Sequence, residues 1–262
     1  MRILSILILA ASLIACSKPS PNTLTIGTIA GPETDLVDVA KEQALKDYGL
    51  TIKIVEFNDY NLPNEALQDG SLDANVYQHL PYLQAAIKAH GYNLEAIGKT
   101  FVYPTGIYSS KYKSLKKLPE NAIIAIPNDP SNEARALILL QKAKLITLKH
   151  TSTATTDDIA SNPKHLQIKE LDAAQLPRVL SDVDAAVINT NFAVPAGLSP
   201  SRDALFLESK DSPYANLIVI RRDSDKRSQL EQFVKAMNSN AVKEKAKELF
   251  GDAAIPAWDE KN

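Results

Sequence analysis

The sequence predicts an α/β protein of two lobes with mainly parallel strands, and three observations lead there. Short apolar or alternating runs of strand length at 24–29, 50–57 and 123–126 are each followed by segments with helical spacing of apolar residues. Chain breakers separate the two kinds of segment: Gly31-Pro32, Gly49, Asn58-Asp59 and Gly91. After Tyr103-Pro104 the same strand-then-helix alternation starts again, which is the pattern of an α/β fold built as two units.

Taken in order, Leu24-Thr25-Ile26-Gly27-Thr28-Ile29 alternates apolar with small or polar residues, as a strand does, and Gly31-Pro32 ends it. Leu36, Val37, Val39, Ala40 and Ala44 mark a helix that Gly49 terminates. Residues 50–57 predict a second strand closed by Asn58-Asp59. A short helix over 64–68, a short strand over 72–77 and a helix over 81–89 follow, with Gly91 in the C-cap position. In the second unit, 123–126 is a short apolar strand and Pro127-Asn128-Asp129-Pro130-Ser131 a turn cluster. The spacing then predicts a helix over 132–144, with Ser131 as its N-cap. Residues 166–171 form another strand, 174–180 a short helix and 184–188 a buried strand. After Ser212-Pro213, 217–220 is the last strand, and Leu230, Phe233, Val234 and Met237 lie on one face of a closing helix. This order suits a first lobe of 23–103 plus 212–262 and a second lobe of 104–211, with crossings near Tyr103 and Ser212.

The chain begins with Arg2 and an apolar run over 3–14 interrupted only by Ser5 and Ser12. About 20 apolar residues are needed to span a bilayer, so this shorter run predicts a signal peptide over 1–15. It ends in Leu13-Ile14-Ala15-Cys16, which resembles the bacterial lipobox, in which the cysteine is acylated. Residues 16–22, containing Lys18-Pro19-Ser20-Pro21-Asn22, then predict an extended polar tether carrying a lipid (palmitate-type) anchor on Cys16. Cys16 is the only cysteine, which excludes an intrachain disulfide and a cysteine nucleophile within the fold. With 262 residues and 45% hydrophobic content the chain can bury a large core. Losing Arg2 with the leader shifts the formal charge from −2 by one unit to −3. That balance argues against nucleic acid as a partner. The four histidines, His79, His90, His150 and His165, are not at ligand spacing, so no metal site is expected.

Ligands of open α/β sheets bind beyond the carboxyl ends of the strands. Those ends here read Ala30-Gly31, Asn58-Asp59-Tyr60, Tyr77-Gln78-His79, Asn128-Asp129 and Asn189-Thr190-Asn191. The set is rich in amides and aromatics and suits a small polar ligand with an apolar portion. Arg135 lies about one turn inside a helix and is followed by the apolar stretch 136–140, so it is expected to be buried and to need an anion. That anion is either a ligand carboxylate or an internal partner such as Glu133, Asp129 or a group of the other lobe. Tyr60, Tyr77 and Tyr82 either line an apolar pocket or belong to the core. His79 is either a ligand donor or a satisfied structural histidine. Asn189 and Asn216 either accept from an ammonium or serve as turn residues.

Several blocks carry a resemblance: Asp59-Tyr60-Asn61-Leu62-Pro63-Asn64-Glu65-Ala66-Leu67, Leu72-Asp73-Ala74-Asn75-Val76-Tyr77-Gln78-His79, and Ile126-Pro127-Asn128-Asp129-Pro130-Ser131-Asn132 with Arg135. Ala186-Val187-Ile188-Asn189-Thr190 and Asp211-Ser212-Pro213-Tyr214-Ala215-Asn216 complete the set. The chain resembles the NlpA-type methionine-binding lipoproteins over essentially its whole mature length. The resemblance implies a type II periplasmic-binding-protein-like fold with the ligand in the cleft. It further implies a non-enzymatic, lipid-anchored protein of the bacterial cell envelope that captures D- or L-methionine, or a close analogue, for an ABC importer's membrane subunits. By the same likeness Arg135 would bind the ligand carboxylate, with Asn189 and Asn216 at the head group and Asn132 also among the ligand-binding residues. Tyr60, Tyr77, Tyr82 and His79 would surround the side chain. Tyr77 stands where the family is expected to have Phe, and His150 to Asp157 departs from the apolar stretch expected there. Other readings of the chain are an extracytoplasmic enzyme on the same fold, or a surface lipoprotein with an adhesin role. The strand ends lack an obvious acid–base pair and the sequence has no Gly-x-Ser-x-Gly elbow, which weighs against the enzyme.

Overall fold

The computed structural model describes residues 22–151, 153–209 and 212–258. The leader over 1–15, Cys16 and the tether as far as Pro21 lie outside the described residues. The chain starts β1 (Thr23–Ile29), α1 (Pro32–Tyr48), β2 (Thr51–Phe57), α2 (Leu62–Gln68), β3 (Ala74–His79), α3 (Leu80–His90) and β4 (Leu94–Val102). It continues through β5 (Gly106–Tyr108), β6 (Ile123–Pro127), α4 (Pro130–Lys142), β7 (Thr147–Leu148), β8 (Ile159–Ser161), β9 (Gln167–Leu171) and β10 (Ala185–Ile188). It ends with α5 (Thr190–Ala193), α6 (Pro200–Asp203), β11 (Phe206–Leu207), β12 (Ala215–Arg221), α7 (Arg227–Met237), α8 (Asn240–Phe250) and β13 (Ile255–Pro256).

Two large sheets organise these elements, while β7 and β8 pair as a separate two-stranded one. One has six strands in the order β13-β4-β12-β3-β1-β2, and the other has five in the order β11-β5-β10-β6-β9. The first sheet packs α1, α7 and α8 on one face, through Leu36, Val37, Leu230, Phe233 and Phe250 against Ile26, Ile218 and Ile220. Leu67, Leu72 and Leu83 pack on its other face against Leu217 and Val219. The second sheet buries Ile124, Ile126 and Val187 under Leu137 and Leu140 of α4, and Ala186 and Ile188 under Leu176 and Leu180. Inner strands covered on both faces have no exposed side, which is why β3 and β10 are buried at every residue. Each large apolar side chain buried in this way contributes roughly 1.5–3 kcal/mol.

The α/β class holds, but the sheets are mixed rather than mainly parallel. β1 runs parallel to β2 and β3, and β6 parallel to β9 and β10, whereas β12 is antiparallel to both β3 and β4. The chain leaves the first sheet at the end of β4 and returns beside that end, with Ala215 opposite Val102 and Asn216 opposite His79. A segment that re-enters where another left must run the opposite way. Two local expectations also change. Asp129, not Ser131, caps α4, its side chain accepting from Asn132 N, because Pro130 already supplies the fixed φ of the first helical turn. The helix expected over 174–180 is only a 3-10 turn, Ala173–Gln175, since Pro177 has no N–H to continue it. Gly49 and Gly91 do end α1 and α3 in the left-handed conformation, at φ of 61° and 69°.

Candidate functional site

The carboxyl ends of strands from both sheets converge on a small cavity. All eight residues singled out from sequence line it: Tyr60, Tyr77, His79, Tyr82, Asn132, Arg135, Asn189 and Asn216. Gln78, Tyr103, Thr190 and Asn191 complete the lining. Tyr60 follows β2, Tyr77 and His79 end β3, Tyr82 stands in the first turn of α3, and Asn216 belongs to β12 of the same sheet. Asn132 and Arg135 are on α4, and Asn189 and Asn191 sit at the start of α5, across the cleft.

One wall is aromatic. Tyr60 lies with its ring centroid 5.8 Å from Tyr77, 6.0 Å from Tyr82 and 4.9 Å from Phe192 of the other side. The hydroxyls of Tyr77 and Tyr82 both donate to the Tyr60 carbonyl, at 3.2 and 2.8 Å. The extra hydroxyl of Tyr77 is therefore satisfied by backbone, and burial raises this phenol well above its usual range. With the hydroxyls engaged, the ring faces are the apolar part of this wall.

A second group of side chains forms a bonded network. His79 Nδ1 accepts from Tyr82 N at 3.3 Å, so the proton of a neutral ring sits on Nε2, which faces Asn132 Oδ1 at 3.3 Å. Burial, then the charge of Arg135, hold His79 down at about 3, so the ring is neutral at physiological pH. Asn132 gives its amino group to both oxygens of Asp129, at 3.1 and 2.9 Å, and Asn132 Oδ1 also accepts from Asn189 Nδ2 at 2.9 Å. Asn132 thus has its amide fully engaged by protein groups. Asn189 Oδ1 is buried and has no partner among the described residues.

Arg135 is buried, with only 4% of its surface exposed. Its internal anion is Glu208, from the segment between β11 and β12, rather than Glu133 or Asp129. Nε donates to one Glu208 oxygen at 3.1 Å, Nη2 to the other, and Nη2 also donates to the Tyr103 carbonyl at 3.0 Å. The Tyr214 ring covers the guanidinium face, 4.3 Å from Cζ. Among the described residues nothing accepts from Nη1. Among the described residues no group of His, Cys, Asp and Glu side chains could hold a metal ion.

The family model described as NlpA lipoprotein matches residues 24–258. The chain belongs to the NlpA lipoprotein family. It is 48% identical over 245 residues to the D-methionine-binding lipoprotein MetQ of Salmonella typhi, covering 92% of this chain and 90% of that one. Among solved structures, an ABC transporter periplasmic substrate-binding protein from Coxiella burnetii aligns with a TM-score of 0.87 at 61% identity, covering 89% of this chain and all (100%) of the other. A nutrient-binding protein from Burkholderia cenocepacia, bound to methionine, aligns with a TM-score of 0.88 at 50% identity, covering 90% and 100% respectively. These relatives are substrate-binding proteins, and the two-lobed architecture is shared with them.

Within this NlpA lipoprotein the sequence reading missed residues of two kinds. Glu208 and Tyr214, which hold Arg135, lie in a segment of irregular backbone with no periodicity to flag them. Glu33 follows Gly31-Pro32 at the end of β1, so the strand-end rule could have reached it. Its carboxylate is 3% exposed and accepts from Asn191 Nδ2 at 2.6 Å and Asn216 Nδ2 at 3.1 Å.

Proposed function

We propose that this chain captures methionine in the cleft and hands it to an ABC importer, without transforming it. The observation that carries the proposal is the cavity's division into three chemistries. A guanidinium with one free end faces it from α4, amides face it from α5 and β12, and a wall of aromatic rings lies between. A zwitterionic head group needs the first two. A thioether, soft and apolar, packs well on the third. The relatives, a D-methionine-binding lipoprotein and a nutrient-binding protein bound to methionine, support the same ligand.

In this reading Arg135 takes the ligand carboxylate through Nη1, and Asn189 and Asn216 take the ammonium. Tyr60, Tyr77, Tyr82 and His79 enclose the side chain, and Asn132 orients Asn189 and His79. Residues 23–103 with 212–262 move as one body and 104–211 as the other, closing over the ligand. Binding energy gained from both bodies then stabilises the closed form that the importer's membrane subunits recognise. Cys16 carries the lipid that keeps the protein at the extracytoplasmic membrane face.

Native mass spectrometry of the purified protein tests this directly. The expected result is an adduct of methionine mass that is recovered unchanged after release, and calorimetric titration that saturates at one site. Conversion of the released compound, or no saturable binding of either methionine enantiomer, would overturn the proposal.

A further inference from the structure

Two buried carboxylates stand behind the cleft and hydrogen-bond to residues that line it, in opposite circumstances. Glu208 is paired with Arg135, whereas Glu33 has no cation within ion-pair distance among the described residues. Both Glu33 partners are neutral amides, one on each side of the cleft: Asn216 belongs to the six-stranded sheet, and Asn191 to α5 beside the five-stranded one. When ionised, a carboxylate can only accept, so each amide then presents its NH2 group to Glu33 and turns its oxygen elsewhere. Asn189 is constrained in the same sense, since its NH2 goes to Asn132 and its oxygen is left buried and unpartnered. Asn189, Asn191 and Asn216 all line the one cavity.

We infer that Glu33 is the positioning residue that makes this end of the cleft specific for a primary ammonium. It orients the amide oxygens of Asn191 and Asn216 towards the cavity beside that of Asn189 and supplies the negative charge that offsets the cation. The inference rests on the reading that the cleft takes an α-amino acid, and adds how it tells an ammonium from a hydroxyl. Three amide oxygens match the three N–H donors of the ammonium, and a buried, unpaired carboxylate favours a cation over any neutral group. Burial raises Glu33 to about 7, against the opposing hydrogen bonds from Asn216 and Asn191. The titratable groups that feel its charge are Tyr60 and Tyr103, both held well above the usual phenol range by burial and then by Glu33, so they stay neutral. The cation lining the cavity, Arg135, is already paired with Glu208. An ammonium arriving at Asn191 and Asn216, directly in front of Glu33, therefore favours the ionised form of Glu33, and binding releases a proton at near-neutral pH.

Two consequences are opposite in sign. Methionine affinity should rise as pH increases through about 7. In the free protein the raised value means that stability from Glu33 is full below the ordinary carboxyl range and is lost as pH rises through about 7. Calorimetry on the purified protein, with methionine and its 2-hydroxy analogue in buffers of different ionisation enthalpy, tests the inference.

The wild type should bind methionine more tightly at pH 8 than at pH 5.5 and release protons. Glu33→Gln should bind methionine at least tenfold more weakly at pH 8, lose the proton release, and bind the hydroxy analogue as the wild type does. Its ligand-free melting temperature at pH 8 should equal or exceed the wild type's, which a merely structural residue would not allow. Should the Gln variant not fold, the wild-type pH profile and proton count decide alone. Wild-type methionine affinity in Glu33→Gln, equal losses for both compounds, or pH-independent binding without proton release would overturn the inference. A wild type that binds neither compound overturns the capture reading itself, and this inference with it.

Discussion

Arg135→Lys keeps the charge on α4 and removes the planar fork, and the structure allows the cost to be worked through. The guanidinium makes two bonds to Glu208, one to the Tyr103 carbonyl and a face contact with Tyr214. A lysine ammonium meets Glu208 at a single point and cannot also reach Tyr103 and stack. Glu208 would keep its bond from Thr105 N at 3.2 Å but lose its bidentate partner while still buried. Removing one member of a buried pair outright costs about 3–5 kcal/mol, and retaining the charge returns roughly half, which leaves about 2 kcal/mol. For a chain of this size that corresponds to a fall of about 4–8 °C in melting temperature. The free Nη1 end is lost as well, so methionine affinity should drop about tenfold or more. Differential scanning calorimetry and titration calorimetry on the same preparations measure both. An unchanged melting temperature would refute the worth assigned to the Glu208 pair. A lowered melting temperature with wild-type affinity would refute the ligand role and leave Arg135 purely structural.

Three further changes separate the remaining parts. Asn216→Ala removes the bond to Glu33 Oε1 and one head-group acceptor, a loss of about 1–3 kcal/mol, or roughly tenfold to hundredfold in affinity. Calorimetry with small-angle scattering should show weaker binding and less ligand-induced compaction, and normal values for both would reduce Asn216 to a strand residue. His79 is held near 3 when folded against an ordinary value of 6.5, so its contribution to stability is full above 6.5 and is lost as pH falls from there towards 3. Melting curves should therefore decline more steeply below pH 6.5 in the wild type than in His79→Asn, and parallel declines would contradict the assignment. Cys16→Ala should abolish metabolic fatty-acid labelling and release from membranes a protein that still binds ligand. Persistent labelling would place the lipid elsewhere.

Much of the site was readable because its residues sit where strands end. Arg135 was visible as a lone cation ahead of the apolar stretch 136–140, and the histidine, tyrosines and asparagines as polar groups at the ends of apolar runs. Glu33 also stands at a strand end but was passed over, because an acidic residue in the first turn of a helix ordinarily answers the helix dipole in solvent. Only the packing of α5 and β12 against it reveals that it is buried. Tyr103 was noticed as a boundary and not as a wall of the cavity. Strand direction was also hidden. The pattern of 215–221 specifies an element buried on both faces, but not that it enters beside the end of β4 and runs backwards. β4 itself was missed, as Glu95, Gly98 and Lys99 interrupt its apolar positions and its burial is uneven along its length.

The placement of β12 has a consequence for how the chain must assemble. This strand lies inside the six-stranded sheet, between β4 and β3, yet it is made after every strand of the five-stranded sheet. A chain emerging from its N-terminus can complete the pairing of the five-stranded sheet once residue 207 is available. At that moment the other sheet is still in two pieces, with the flanks of β3 and β4 unpaired and open to mispairing. Its closure waits on contacts between residues more than a hundred positions apart, a slow class of event in folding. The part of the molecule begun first is finished last, and the interval between is when a nascent chain most needs protection from its neighbours.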